Sequence, residues 1–308
     1  MSDTQLIFDR ALLKKRRDRA ARSGDGCDFL FREGAVRLAD RLLDIQRGFP
    51  LALDLGSHGG CIAEEVADLP SVGHVIQSDI AEGYARQAKA HGPALVADEE
   101  WLPIRPESLD LVISNLSLHW VNDLPGAFIQ VNHALKADGL FIGALLGGDT
   151  LYELRECLMQ AEIDISGGVS PRISPFAEIR DVGSLMQRAG FALPVIDSET
   201  VTVRYENMFR LLSDLRGMGE TNMLIQQARG IPRRAIFMRA AELYQERFQG
   251  EDGRIPATFQ MIFLHGWAPH DSQQKPMRPG SAKTRLADAL ETDEVSVPDK
   301  TGNRATEG

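Results

Sequence analysis

The stretch LALDLGSHGG, residues 51–60, sets the tightest limit on what this chain can fold into. An apolar run ends in Asp54, a glycine-rich turn follows, and IAEEVADL (62–69) then resumes with helical spacing. The pattern predicts a buried strand, a tight loop and a helix N-terminus. Such a loop turns backbone N–H groups and the positive end of a helix dipole toward a ligand.

The following segments repeat that alternation. HVIQSD (74–79) is a second apolar run ending in Asp79, with helix-like sequence to His91. PALVADEEWLP (93–103) predicts a third strand ending near Asp98, and SLDLVISNLSLHW (108–120) a fourth. A helix over 124–136 and a turn at Lys136–Gly139 lead to a fifth strand, LFIGALL (140–146). Strands alternating with helices at short spacing predict a mostly parallel sheet covered on both faces. Ligands in such sheets sit at the carboxyl ends of the strands, near the point where strand order reverses. Asp54, Gly56, Asp79, Asp98 and Asn115 all fall at those ends.

Composition narrows the class. The chain has 308 residues, enough for one large α/β domain with insertions, and 43% are hydrophobic, which supports a packed core. The net charge of −10 argues against general nucleic-acid binding. Three scattered cysteines without a C-x-x-C pair fit a reducing compartment, not a disulfide framework. No apolar run approaches the roughly 18–20 residues that span a bilayer, and the N-terminus lacks a secretory apolar region. The expected location is cytoplasmic.

The N-terminal FDRALLKKRRDRAAR (8–22) is basic and helix-prone. It reads either as a solvated helix face or as a lid that carries cations to an anionic ligand or an acidic partner. FLFREGAVRLADRLLDI (29–45) is an amphipathic helix leading into the sheet. In the second half, 147–162 has helical spacing, 167–176 is a Pro/Gly-punctuated loop, and 179–191 is a helix. Strands are expected at 201–205 and 257–266, with helices at 208–222 and 233–248 inserted between them. The expected organisation is a basic lid over 1–28, a main domain over 29–269 with insertions at about 147–178 and 206–253, and a disordered polar tail over 270–308.

The G-x-x-G-G spacing fits poorly to the G-x-G-x-x-G of nicotinamide-binding folds. D-L-G-x-x-x-G, an acid after the second strand, A-D at 97–98 and L-D-L-V in the fourth strand together resemble the S-adenosylmethionine-dependent methyltransferases. The resemblance implies a Rossmann-like class I methyltransferase fold with a mostly parallel seven-stranded sheet, helices on both faces and a helical insertion before the last strand. It implies S-adenosyl-L-methionine as cofactor, held by Asp54, Gly56, Ser57, Gly59, Gly60, Asp79, Ile80, Asp98, Glu99, Asn115 and Leu116. Asp79 would accept from the ribose hydroxyls and Asp98 from the adenine amino group. His58 stands where that family usually has the second glycine of the loop.

A narrower resemblance rests on SNLSLHWVNDLPGAF (114–128), GGDTLYELR (147–155), SPRISPF (170–176), LLSDLRGMGETN (211–222) and PATFQMIFLHGW (256–267). Together they resemble the methyltransferase-like assembly factors of respiratory complex I, which hydroxylate an arginine of a peripheral-arm subunit. That resemblance implies a protein substrate, a peripheral-arm complex I subunit, with peripheral association near the membrane arm and no membrane span. A guanidinium wants planar carboxylate acceptors. Asp149 and Glu153, four residues apart, are candidates for one helix face near the cofactor mouth. Tyr152 and Trp120 could stack on the guanidinium, and His119 could transfer a proton. Each also has a structural reading: Asp149 as a helix cap, the aromatic residues as core, His119 as a satisfied hydrogen-bonding group. Oxygen activation commonly uses iron held by two His and one carboxylate; the seven His show no such spacing, so no metal site is expected. Two alternatives stay open. One is methyl transfer to a carrier-protein or small carboxylate substrate, as in malonyl-carrier-protein O-methyltransferases. The other is a non-catalytic assembly chaperone.

Overall fold

The computed structural model describes residues 6–23, 26–227 and 233–274. The chain divides between His270 and Asp271. The first unit carries the whole sheet, and from Lys275 on the expected tail lies outside the described residues.

Seven strands form one sheet: β1 (Phe49–Leu55), β2 (Val72–Asp79), β3 (Ala94–Val96), β4 (Leu109–Asn115), β5 (Leu135–Leu146), β6 (Ala192–Tyr205) and β7 (Ile255–Trp267). Their order is β3-β2-β1-β4-β5-β7-β6. The first five run parallel, and β7 lies antiparallel between β5 and β6. Strand order reverses between β1 and β4, so a crevice opens where Leu55 and Asn115 end their strands.

The central strands are apolar on both faces, as burial on both sides requires. Leu111 and Ile113 of β4 face one layer and Val112 the other; Ile142 and Phe141 of β5 divide the same way. The first layer is α2 (Phe29–Leu43), α6 (Tyr152–Ser166), α8 (Met208–Met218) and α9 (Arg234–Phe248), through Leu38, Leu154, Leu211 and Tyr244. The second is α5 (Leu124–Ala134) and α7 (Ile179–Arg188), through Phe128 and Met186. Each fully buried side chain of this kind contributes about 1.5–3 kcal/mol. The two segments read as insertions thus supply α6, α8 and α9.

Several boundaries differ from expectation. The helix after the first loop, α3 (Cys61–Glu65), is short, and β3 spans only three residues. A 3-10 turn at Leu118–Trp120 ends what the sequence reads as one long fourth strand. Residues 136–139 are not a turn between elements: β5 starts at Leu135 and absorbs them at a register irregularity opposite Leu109 and Leu111. Asp138, at φ 64, accommodates it, since Asp tolerates left-handed backbone. Strand β6 starts at Ala192, not 201, and pairs with β7 along its length. It is an edge strand, and its alternating outward residues hide it from a search for apolar runs.

Helix α1 (Arg10–Ser23) lies across the carboxyl ends of the strands, against α4 (Glu82–Ala88) and α8. Its start is fixed twice. Asp9 caps it, its carboxylate accepting from Leu12 N at 2.9 Å. The preceding residues pair with a distant segment, Asp9 N donating to Met223 O at 2.8 Å and Ile225 N to Ile7 O at 3.0 Å.

Candidate cofactor and substrate site

The loop after β1 is built as a close approach. Gly56 has φ 73, and a Cβ there would collide with Ser117 Oγ. Only glycine meets both conditions. His58 also adopts left-handed backbone, at φ 49. Its ring stacks on Phe31 with centroids 3.9 Å apart, meets Tyr84 edge-on, and donates from Nε2 to Leu116 O at 3.3 Å. Burial, then the nearby Arg17, keeps this imidazole neutral by pushing its pKa well down.

Four buried polar atoms of this loop have no hydrogen-bond partner: both carboxylate oxygens of Asp54, Ser57 Oγ and His58 Nδ1. Each such group costs about 1–3 kcal/mol unless a ligand or water satisfies it. Burial, then neighbouring Asp79, raises the pKa of Asp54 well above the carboxylate range. A cluster of acceptors beside a glycine turn suits an ammonium group, such as that of the methionine portion of S-adenosyl-L-methionine.

The other half of the site is acidic and already engaged. Asp79 accepts from Ala81 N at 2.8 Å and His58 N at 3.1 Å. Arg17 of α1, wholly buried, places Nη1 3.4 Å from Asp79 Oδ2 and 3.2 Å from Glu99 Oε1, and Nη2 3.2 Å from Ser117 Oγ. Arg10 pairs with both Asp98 and Glu99. Burial raises Asp79 to about 6, against the pull of Arg17. Burial also opposes the charge on Glu99, but Arg10, Arg17 and the Ser117 hydroxyl hold that carboxyl down to about 2. The structure matches neither expected reading of the basic segment at these two residues: Arg10 and Arg17 go to the chain's own Asp79, Asp98 and Glu99, not to solvent, a ligand or a partner. Ile80 packs with Phe8, Leu13 and Trp120 beneath α1. Asn115 turns away, donating from Nδ2 to Phe31 O at 2.7 Å, and Leu116 enters the core at φ 48.

A cavity of about 430 Å³ lies next to this crevice, between α1, α6, α8 and the 170–176 loop. Trp120 lines it, and the backbone carbonyl of Trp120 accepts from Arg10 Nη1 at 3.3 Å. Its acid is Glu220. Helix α8 ends at Gly219, whose φ of 80 reverses the chain, and Glu220 N then bonds Leu215 O at 2.8 Å. The Glu220 carboxylate accepts from Trp120 Nε1 at 2.7 Å and His119 Nε2 at 3.1 Å through Oε2. Its Oε1 has no partner.

The expected pair Asp149 and Glu153 does not share a face of this cavity. Asp149 is exposed before α6, whose N-cap is Leu151. Glu153 is fully buried and accepts from Thr258 N at 3.3 Å and from its hydroxyl, tying α6 to β7. Tyr152 is half-exposed and packs edge-on with Phe248. Only His119, of the four catalytic candidates, meets the cavity's acid. Sequence reading missed Arg10, Arg17, Ser117 and Glu220, though the last stands inside the GMGETN block that carries the narrower resemblance. Among the described residues no group of three or more His, Cys, Asp or Glu could hold a metal ion, and no helix is long and apolar enough to cross a membrane.

Fold and loop define the class: residues 53–143 match the family described as "Methyltransferase domain". The YcgJ protein of Bacillus subtilis shares the fold, with a TM-score of 0.53 at 15% identity over 76% of this chain and 98% of that one. The chain belongs to the family of the arginine-hydroxylase NDUFAF5. It is 45% identical to the mitochondrial mouse protein of that name over 96% of this chain and 87% of the mouse protein, and 43% identical to the human one over 96% and 86%. A more distant relative is the malonyl-[acyl-carrier protein] O-methyltransferase of Gallionella capsiferriformans, 33% identical over 86% of this chain and 93% of that protein. The expected class I methyltransferase fold and family membership both hold.

Proposed function

We propose that this chain is an S-adenosyl-L-methionine-binding enzyme that hydroxylates an arginine of a peripheral-arm subunit during assembly of respiratory complex I. Near-full-length identity to proteins named as arginine hydroxylases supports the reaction class. The observation that carries it in the structure is Glu220. Its carboxylate is held by His119 and Trp120 in a cavity beside the cofactor loop, with one oxygen free.

Asp54, Ser57 and His58 would hold the methionine portion of the cofactor, and Asp79, Ile80, Asp98 and Glu99 the adenosine. When bound, the cofactor supplies an electrophilic methyl on a sulfonium, which serves methyl transfer; for hydroxylation the oxygen atom and the two-electron oxidation come from a co-substrate of the dioxygen class. The residues of this chain orient it, exclude water beneath α1 and hold the substrate. Since Arg17 stands at Asp79 and Glu99, the adenosine end is received only as Arg17 gives way or shares those acceptors. Peripheral association near the membrane arm belongs to the same reading.

A second reading is methyl transfer to a carboxylate, favoured by the malonyl-carrier-protein relative and by the arginines around the cavity. Mass spectrometry of the subunit from a strain lacking this gene separates the readings. Loss of one oxygen from an arginine peptide supports hydroxylation, and loss of one methylene supports methylation. An unchanged mass with failed assembly supports a chaperone. Calorimetric titration of S-adenosylhomocysteine checks the site itself: Asp79→Ala weakens binding roughly tenfold or more, and unaltered affinity would remove Asp79 from it.

A further inference from the structure

The cavity beside the cofactor crevice separates its charges by depth. Glu220 is 8% exposed, and its Oε1 is unpartnered. Two other buried, unpartnered polar atoms line the same space, Arg172 Nε and Ser174 Oγ from the 170–176 loop. Most of the remaining wall is apolar, with Leu154, Leu158, Phe176 and Phe259 among it. Three unsatisfied polar atoms in one apolar cavity mark it as built for a ligand with a polar end. An arginine side chain has the matching form. Its methylene stem suits leucine and phenylalanine, and its planar fork offers N–H groups to Glu220 Oε1 and Ser174 Oγ beside the Trp120 ring. Arg172 Nε–H is the donor left over for a carbonyl of the substrate backbone.

The mouth carries the opposite sign. Arg19 of α1 and Arg216 of α8 line the cavity, are exposed, and form no ion pair among the described residues. Arg16 is occupied by Thr221 Oγ1 at 2.6 Å and by Asn222 O, and Arg172 Nη2 by Glu162. Two free cations at the entrance repel a lone arginine and attract carboxylates.

We propose that the cavity takes an arginine embedded in an acidic stretch of the substrate protein, with Glu220 receiving the guanidinium and Arg19 and Arg216 receiving the flanking carboxylates. The inference rests on the arginine reading given above. It adds the receiving residue and the sequence context of the target.

The test is binding of labelled pentapeptides to the full chain, followed by fluorescence anisotropy. The probes are a central arginine with acidic flanks, citrulline with the same flanks, leucine with the same flanks, and arginine with lysine flanks. The arginine peptide with acidic flanks should bind roughly tenfold or more tightly than each of the others. Glu220→Gln should abolish the preference for arginine over citrulline and leave the flank preference. The exposed pair Arg19→Glu/Arg216→Glu, which touches no buried contact, should reverse the flank preference and leave that for arginine. Equal binding of arginine and citrulline overturns the proposal. So does tighter binding of the leucine peptide, which would make the depth of the cavity an apolar site. Wild-type levels of subunit modification in a Glu220→Gln strain would remove Glu220 and leave the reaction standing. An unmodified subunit with the peptide preferences intact would remove the reaction and leave the cavity assignment standing.

Discussion

Arg17 and Glu99 form a fully buried ion pair, 3.2 Å between Nη1 and Oε1, joining helix α1 to the turn that follows the third strand. The same guanidinium faces Asp79 at 3.4 Å. Buried charges of this kind are tolerated only in company, and removing one partner typically costs about 3–5 kcal/mol. Arg17→Met therefore destabilises the fold by about that amount in urea denaturation. A loss below about 1 kcal/mol would show that the helix does not neutralise the two acids.

The acid limb of stability follows from Glu99. Its folded carboxyl is held down to about 2, below its unfolded value near 4.5. A depressed carboxylate contributes stability above the unfolded value and loses it as pH falls through the folded one. Melting temperature should thus fall between about pH 4.5 and 2, and Glu99→Gln, whose baseline is lower, should flatten that step. A parallel acid limb in the variant would assign the transition to other carboxylates.

His58 offers a comparison between two small replacements. Both Ala and Gly lose the stack on Phe31 and the bond to Leu116. Only Ala keeps a Cβ at φ 49. His58→Gly should then be the more stable variant by about 1 kcal/mol. The reverse order would mean that the loop relaxes out of its left-handed turn once the ring is gone.

Glu153 and Asp149 separate structure from chemistry. Glu153→Ala leaves Thr258 N and its hydroxyl without their acceptor, with an expected loss of about 1–3 kcal/mol. Asp149→Ala, at an exposed site, should change neither stability nor subunit modification measurably. Loss of modification in a stable Asp149→Ala protein would return that residue to the site.

The parallel half of the sheet was legible because the apolar runs that lead to the crevice carry an acid or an asparagine at or next to their last residue. Asp54, Asp79 and Asn115 mark those ends whatever the helices between them do. The edge strand was not: β6 alternates exposed with partly buried positions from Ala192 on, broken only at Asp197 and Ser198, but its exposed positions include Leu193 and Val195, so the apolar/polar pattern of the sequence does not follow the faces. The burial of Arg17 was hidden for a different reason. KKRRDR reads as solvated when its neighbours in sequence are counted, while the charges that neutralise Arg17 come from Asp79 and Glu99. Glu220 was equally hard to single out, because the glycine that turns it inward acts through backbone conformation, not through any spacing of side chains.

The pairing of Ile7 and Asp9 with Ile225 and Met223 sets an order of events in synthesis. The residues that seal the cofactor crevice are made well before their docking strip. At about 5–20 residues per second, the basic helix waits on the order of ten seconds or more for its partner. In that interval the strip that pins Ile7 and Asp9 is missing, and a nascent chain stalled before Glu220 has the parallel strands β1–β5 but neither β7 nor the acid of the cavity.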